Sequence, residues 1–460
     1  MHAELTKARL KRGFATVEDL RNHIEIGSIN GSEDQAAERS SKEKQTREDY
    51  TRAQAHPRWV RVNSLRTSLD EQLATTFSGY RAVDSVEQVV LAANGKSDVE
   101  KILHVDMHIP DLLAIPQTAN ISNTSAYRHG LIILQDKASC FPAYLLDPRP
   151  ENGPSLDACA APGNKTTHLA ALLQSRCDIT RKPKVWACER DKERAMILQK
   201  MIIKAGAEDI VGLKGPQDFL RFDPYKAPWD SVSSLLLDPS CSGSGMVRRE
   251  DMPNIVLPSK QTGTVEKANS KKRKRKATTE PEPDLAGFKE ETPITTHDDD
   301  VLRKRLEALS AFQLKLILRA FQFPRARKIT YSTCSIRAEE NEHVVVRALT
   351  SPVAKKGGWH ILPRAAQVSG MNAWHIRGDV NACQEMLSKD DLGDVNVKEV
   401  AEGCIRCEKG TIEGTQGFFV AAFTRNGEDL PSSGELCAEE HEHGHEDGHE
   451  WEGFEDEDAT

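Results

Sequence analysis

Asp238-Pro239-Ser240-Cys241-Ser242-Gly243-Ser244-Gly245 follows the apolar run Leu235-Leu236-Leu237, and Tyr331-Ser332-Thr333-Cys334-Ser335 continues from Ile329-Thr330. Each segment sets a thiol at the end of a short strand-like run. Ligands of parallel sheets bind outside the carboxyl ends of the strands, so Asp238, Cys241 and Cys334 are expected at one crevice. A cysteine thiolate is a strong nucleophile when a cation or a hydrogen-bond donor stabilises it. Two thiols at neighbouring strand ends could equally be a metal pair, a redox pair or two catalytic groups. No second Cys/His pair lies at ligand spacing beside either, which argues against zinc. Chance placement of core cysteines explains one such thiol more easily than two.

A second cluster reads as a binding loop. Asp157-Ala158-Cys159-Ala160-Ala161-Pro162-Gly163-Asn164-Lys165 follows one apolar run and opens a helix. Small residues let backbone approach a ligand closely, and a helix N-terminus favours a carboxylate or phosphate. One glycine does not make the dinucleotide pattern G-x-G-x-x-G, and a tight strand–helix turn without a ligand would look the same. Glu189 ends the next apolar run, 26 residues after Gly163, where an acid accepts hydrogen bonds from ribose hydroxyls. A solvated strand end is the plain alternative for that acid taken alone. Asp218, after the third run, is placed to meet an adenine amine.

The elements that must position these groups alternate. Strands are expected at Leu156–Cys159, Val185–Glu189, Ile210–Leu213, Leu235–Asp238 and Ile329–Ser332, with helices at Lys165–Gln174 and Lys192–Lys204. That rhythm predicts an α/β fold built on a parallel sheet, with Gly417–Phe423 as one more buried strand. Before it, residues 58–130 read as a small α+β unit that begins with the alternation Trp59-Val60-Arg61-Val62; residues 131–425 form the main domain. Residues 1–57 read as a short amphipathic helix (Leu10 to Ile26) and a flexible segment. An insertion at about 257–300 carries a basic run and then Glu/Pro/Thr-rich sequence, and is expected to be disordered, as is the tail 426–460.

Composition bounds the partners. The net charge is −8, but the tail beyond Arg425 holds fourteen acids and no Lys or Arg, so residues 1–425 carry +6. The run Lys271–Lys276 supplies six positive charges, and reads as a nuclear address or an RNA patch against the alternative of a solvated charge run. No apolar run of 18 residues occurs and Met1–Arg12 lacks the pattern of a secretory leader, so the expectation is a soluble intracellular chain whose ten cysteines are thiols. Cys404-Ile405-Arg406-Cys407 is a C-x-x-C without a partner pair, and His441, His443, His445 and His449 sit among acids in the tail; neither is expected to be a metal site.

Taken together, Cys159–Lys165, Asp238-Pro239-Ser240-Cys241 and Ser332-Thr333-Cys334 followed by Glu339-Glu340-Asn341-Glu342 resemble the Sun-type (RsmB-like) RNA cytosine-5 methyltransferases. Asn164, His108-Ile109-Pro110-Asp111-Leu112-Leu113 and Gln135-Asp136-Lys137-Ala138-Ser139-Cys140 resemble a eukaryotic subgroup that acts on large-subunit ribosomal RNA. The likeness covers about Pro57 to Phe423 without the insertion. Relatives usually carry a longer helical N-terminal region, and many have Asp where Glu189 stands.

The resemblance implies a Rossmann-like class I methyltransferase domain with S-adenosylmethionine as cofactor. It implies that Cys159, Ala160, Ala161, Pro162, Gly163, Asn164, Lys165, Glu189, Arg194, Asp218 and Asp238 hold that cofactor. Cys334 is implied as the nucleophile on C6 of cytosine, Asp238 as a contact to the N3/N4 edge and Cys241 as the group assisting release. The implied partners are ribosomal RNA or pre-ribosomal particles, without a membrane, and the implied place is the nucleus and nucleolus. Residue types alone do not order the two thiols: in DNA cytosine methyltransferases the nucleophile sits in the Pro-Cys segment. A DNA enzyme and a ribosome-assembly scaffold without turnover are the rival readings. A DNA enzyme needs no thiol at Cys334, and a scaffold needs neither thiol.

Overall fold

The computed structural model describes residues 56–92, 101–177, 182–246, 299–387 and 395–425. The helix expected over Leu10–Ile26, the acidic tail and the expected insertion lie outside the described residues, except that Asp299 and Asp300 already begin a helix.

A smaller sheet has the strand order β2-β3-β4-β1-β5. In chain order it is built from β1 (Arg58–Val62), α1 (Leu69–Ala74), β2 (Arg81–Ala82), α2 (Val86–Ala92), β3 (Ile102–Val105), β4 (Leu112–Ile115), α3 (Ser125–Arg128) and β5 (Ile132–Leu134). Successive side chains of a strand point to opposite faces, and here both faces are covered. Val60, Val62, Leu113 and Ile115 pack with Phe77 and Leu103 on one side. Trp59, Leu112 and Ala114 pack on the other with Phe141, Trp374 and Phe418 from the larger unit. The segment Leu131–Leu134, read from sequence as leading into the main domain, instead extends the smaller sheet, with Ile132–Leu134 pairing antiparallel to β1.

The larger sheet has the order β11-β13-β10-β9-β6-β7-β8, with β12 also paired to β13. Its elements are α4 (Lys137–Leu146), β6 (Ser155–Asp157), α5 (Asn164–Ser175), β7 (Val185–Cys188), α6 (Lys192–Ala205), β8 (Val211–Lys214), β9 (Ser234–Leu237), α7 (Asp299–Phe321), β10 (Lys328–Thr333), α8 (Glu342–Leu349), β11 (His360–Ile361), β12 (Ile405–Cys407) and β13 (Phe418–Thr424), with shorter helices between α8 and β12. The five strands β10-β9-β6-β7-β8 run parallel, and β13 is antiparallel to β10. Near-continuous apolar strands such as Ser234-Leu235-Leu236-Leu237, buried along their length, suit a sheet covered on both faces. From β6 the chain winds through β7 to β8, then returns to β9 on the other side of β6. That reversal makes a crevice at the carboxyl ends of β6 and β9, the place where such sheets bind ligands.

Candidate active site

Strands β9 and β10 run parallel with Leu237 level with Tyr331. Asp238, just past the end of β9, and Ser332, still within β10, therefore lie side by side, and the Ser332 hydroxyl donates to Asp238 Oδ1 at 2.7 Å. A few residues on, Cys241 Sγ and Cys334 Sγ lie 3.0 Å apart. Lys165, in the first turn of α5, reaches across the crevice from β6. Its Nζ sits 2.8 Å from Asp238 Oδ2, donates to Ser139 Oγ at 2.9 Å and lies 5.4 Å from the centre of the Phe418 ring. Lys165, which the resemblance groups with the cofactor loop, thus faces Asp238 and the thiols.

The two thiols are shifted in opposite directions. A hydrogen bond from the Cys241 thiol holds Cys334 below the ordinary thiol value; burial and Asp238 oppose this and Lys165 assists it. Cys241 is pushed well up by that same bond and by burial. The pair therefore favours the thiolate form at Cys334 and the thiol form at Cys241. Burial pushes the neighbouring Asp157 carboxyl up to about 7 against the hydrogen bond from Thr166. Burial also pushes the Cys159 thiol well up, and Cys404 and Cys407 likewise stay neutral in the core. Among the described residues no three or more His, Cys, Asp or Glu gather in a way that could hold a metal ion.

Side chains without an assigned chemical role fix the thiol loops. Glu340 is fully buried; its Oε1 accepts from the Ser242 N–H at 2.9 Å and its Oε2 from the Ser242 hydroxyl. Gln313 of α7 donates to Glu340 Oε1 and to the Ser240 carbonyl, both at 3.1 Å. Asn341 accepts from the Thr333 hydroxyl and donates to the Ser335 carbonyl. Gly245 donates to the Cys334 carbonyl, and a Cβ there would collide with the Gly417 carbonyl at 2.0 Å, so glycine is required by this close approach. Sequence reasoning missed Gln313. Its one signal is position: a polar residue on the apolar stripe Leu306, Ser310, Leu316, Ile317, Ala320, all of them buried.

The binding loop closes over the end of β7. Ala160 N–H bonds to the Cys188 carbonyl, and Ala161 N–H donates to Glu189 Oε2 at 3.3 Å. Glu189 is 6% exposed, and its other oxygen accepts from Asp191 N–H. Arg194 donates to the Ala161 carbonyl at 2.8 Å and lies 3.8 Å from Glu189. Gln217 N–H bonds to the Glu189 carbonyl, which brings Asp218 alongside; Asp218 itself caps a short turn through Leu220 N–H. Gly163 has φ +113°, and an added Cβ would lie 3.0 Å from Met201 and 3.1 Å from Leu198 of α6. Glycine there answers to helix packing and backbone conformation as well as to any ligand. Asn164 turns away from Glu189: its amide points to the Leu134 carbonyl at 3.5 Å, and Arg61 bonds to its carbonyl. Cys159 feels both Asp238 and Glu189, so it lies between the thiol half and the carboxylate half of the crevice.

A family profile described as 16S rRNA methyltransferase RsmB/F matches residues 143–277, and one described as the ferredoxin-like domain of NOL1/NOP2/Sun domain family member 5 matches residues 56–135. The human protein NSUN5C is 30% identical over 69% of this chain and 76% of its own length. The chain belongs to the NOL1/NOP2/Sun family of RsmB/F-type methyltransferases. Two further relatives in the family are the fission-yeast 25S rRNA (cytosine-C(5))-methyltransferase rcm1, 34% identical over 79% of this chain, and a mouse 28S rRNA (cytosine-C(5))-methyltransferase, 31% identical over 80%. The chain spans 62% of the length of each. A methyltransferase homologue from Pyrococcus horikoshii shares the fold, with a TM-score of 0.51 and 20% identity over 82% of this chain and 88% of that one. The larger unit is accordingly a Rossmann-like class I methyltransferase domain, and the smaller one its ferredoxin-like companion.

Proposed function

We propose that the chain methylates carbon 5 of a cytosine in RNA, with large-subunit ribosomal RNA as substrate, through transient attachment of Cys334 to C6 of the base. The observation that carries this reading is the sulfur pair: Cys334 Sγ 3.0 Å from Cys241 Sγ, beside the Lys165–Asp238 ion pair. The names of the yeast and mouse relatives support the substrate class. The two carboxylates at the far end of the crevice, Glu189 and Asp218, are acceptors complementary to ribose hydroxyls and an amine, and so fit S-adenosylmethionine. Glu189, Asp218, Arg194 and the loop around Gly163 would hold it; when bound it supplies a methyl group on a sulfonium.

Cytosine C5 is a poor nucleophile until something adds to C6. The Cys334 sulfur forms a bond to C6, and the electron pair of the C5=C6 bond becomes available at C5. Asp238, with one oxygen on Ser332 and the other on Lys165, has lone pairs left to accept from the N4 amine of the base, and from N3 once N3 carries a proton. After methylation the C5 proton leaves to a water base, the C5=C6 bond reforms, and the C6–S bond breaks to return the Cys334 thiolate. Cys241 assists that release by donating its hydrogen bond to the departing sulfur. The base must leave any stack to reach the crevice. A ribosomal substrate supports a place in the nucleus and nucleolus, in contact with pre-ribosomal particles, with Lys271–Lys276 as the address; that run lies outside the described residues. Among the described residues no helix is long and apolar enough to cross a membrane.

Labelled ribosomal RNA, duplex DNA and a denaturing gel test the reading. Cys334→Ala abolishes the RNA adduct and brings methyl transfer to background. Cys241→Ala permits addition but slows release, so covalent RNA–protein complex accumulates. The reverse pattern would make Cys241 the nucleophile, methylation of duplex DNA alone would make this a DNA enzyme, and methylation untouched by either change would end the covalent mechanism.

A further inference from the structure

Cys241 lies in a run of small residues, Ser240-Cys241-Ser242-Gly243-Ser244-Gly245, that has little side-chain bulk to hold it. A Cβ added at Gly243 would meet nothing within 4 Å. Yet a thiol that assists a departing sulfur must be held to within a few tenths of an ångström, because a hydrogen bond to sulfur weakens steeply with distance and angle. The loop therefore needs an external anchor.

Its two chain neighbours provide the attachment points. Ser242 gives both its N–H and its hydroxyl to the Glu340 carboxylate, and the Ser240 carbonyl accepts from Gln313, which also bonds to Glu340. The Tyr331 hydroxyl holds the other side of this knot, through the Gln313 amide oxygen and the Glu340 carbonyl. Glu340 stands six residues after Cys334, on the turn leaving β10. One buried carboxylate thus ties the loop bearing one thiol to the loop bearing the other.

We propose that Glu340 is a positioning residue for the release step: through Ser242 it sets the distance between Cys241 and Cys334. This rests on the reading of Cys334 as nucleophile and Cys241 as the group assisting release. The Glu340 carboxylate bonds to Ser242 and Gln313 and to neither sulfur, so it sets their spacing through the Cys241 loop.

Glu340→Gln turns one acceptor oxygen into a donor facing the Ser242 groups or the Gln313 amide, with little change of volume. In the full-length chain with ribosomal RNA and S-adenosylmethionine, the covalent RNA adduct should still form, and its decay should slow about tenfold, as expected when a hydrogen bond to a charged group is lost. In a Cys241→Ala background the same change should alter decay by less than about twofold, since residues acting through one another are not additive. Gln313→Met, which keeps the carboxylate but frees the Ser240 carbonyl, should slow decay to a lesser degree, and serves alone if circular dichroism shows Glu340→Gln unfolded. Wild-type decay in whichever folded variant is read, or an added tenfold loss on top of Cys241→Ala, overturns the proposal. Absence of accumulated adduct in Cys241→Ala itself instead overturns the parent reading, and the two failures are read from separate lanes of one gel.

Discussion

A buried thiolate needs a cation, and Lys165 stands where it can be one. Burial opposes its charge, but Asp238, helped by Cys334 and Asp157, offsets this, so the ammonium is held above its ordinary value. Its field contributes to keeping Cys334 below the usual thiol value. Replacing it by Lys165→Met should raise the Cys334 pKa, so the acid limb of adduct formation moves to higher pH, by about one unit. A pH series of adduct-formation rates with the wild type and Lys165→Arg as controls checks this; an unmoved limb would take Lys165 out of the thiolate's support. Cys241, Cys334 and Asp238 were legible because reactive side chains at the ends of apolar runs stand out in a sequence. The aim of a long side chain is a three-dimensional fact, which is why Lys165 and Asn164 read as one loop with Gly163 while their side chains point to different places. Gln313 was illegible for another reason: it bonds across 27 residues to Glu340 and across 73 to Ser240, and no local pattern reports that.

At the scale of elements, the strands were legible because burial on both faces leaves an unbroken apolar run with little competing periodicity. Direction is not written in such a run, so Phe418–Thr424 was readable as a strand while its antiparallel pairing with β10 was not. The short strand Ile132–Leu134 fits either sheet on composition, and its partner is decided by the register with β1. One ion pair secures the C-terminal elements to the thiol loop. Glu342 at the start of α8 is fully buried, and Arg406 of β12 grips both its oxygens while donating to the Ile336 carbonyl. Burial works to raise the Glu342 pKa, but Arg406 overcomes it and the net shift is downward. A depressed carboxyl contributes stability above its unfolded pKa, and that contribution is lost as pH falls through the folded value. Arg406→Leu should therefore leave an uncompensated buried charge and cost about 3–5 kcal/mol near neutral pH. Chemical denaturation at pH 7 and pH 4 measures it, with a smaller difference between variant and wild type expected at the lower pH.

Across the whole molecule, the two sheets share a hydrophobic core and a polar bolt. Lys137 at the start of α4 lies 2.6 Å from Asp106 of the smaller unit and 3.3 Å from Glu413 before β13, and is fully buried. The rings of Trp59 and Trp374 flank its ammonium at 5.3 and 5.1 Å. Trp59 also donates to the Gly414 carbonyl, so the stretch that leads into β13 is gripped by the smaller unit. Lys137→Met leaves Asp106 buried without its cation, and the loss falls on the junction between units. Amide hydrogen exchange should accelerate in β3 and β4 while β6 and β9 keep wild-type protection. Equal acceleration in both sheets would mean that the two units unfold as one body.

Met246 and Asp299 flank a stretch, residues 247–298, which begins a few positions after Cys241 and lies outside the described residues. Upstream of it Ser240 and Ser242 are gripped by Gln313 and Glu340, and Lys409 holds the Met246 carbonyl at 2.8 Å. Downstream, α7 delivers Gln313 to that same grip. The two flanks of residues 247–298 thus meet in one buried clasp, so the spacing of the sulfurs is set by side chains on either side of that stretch.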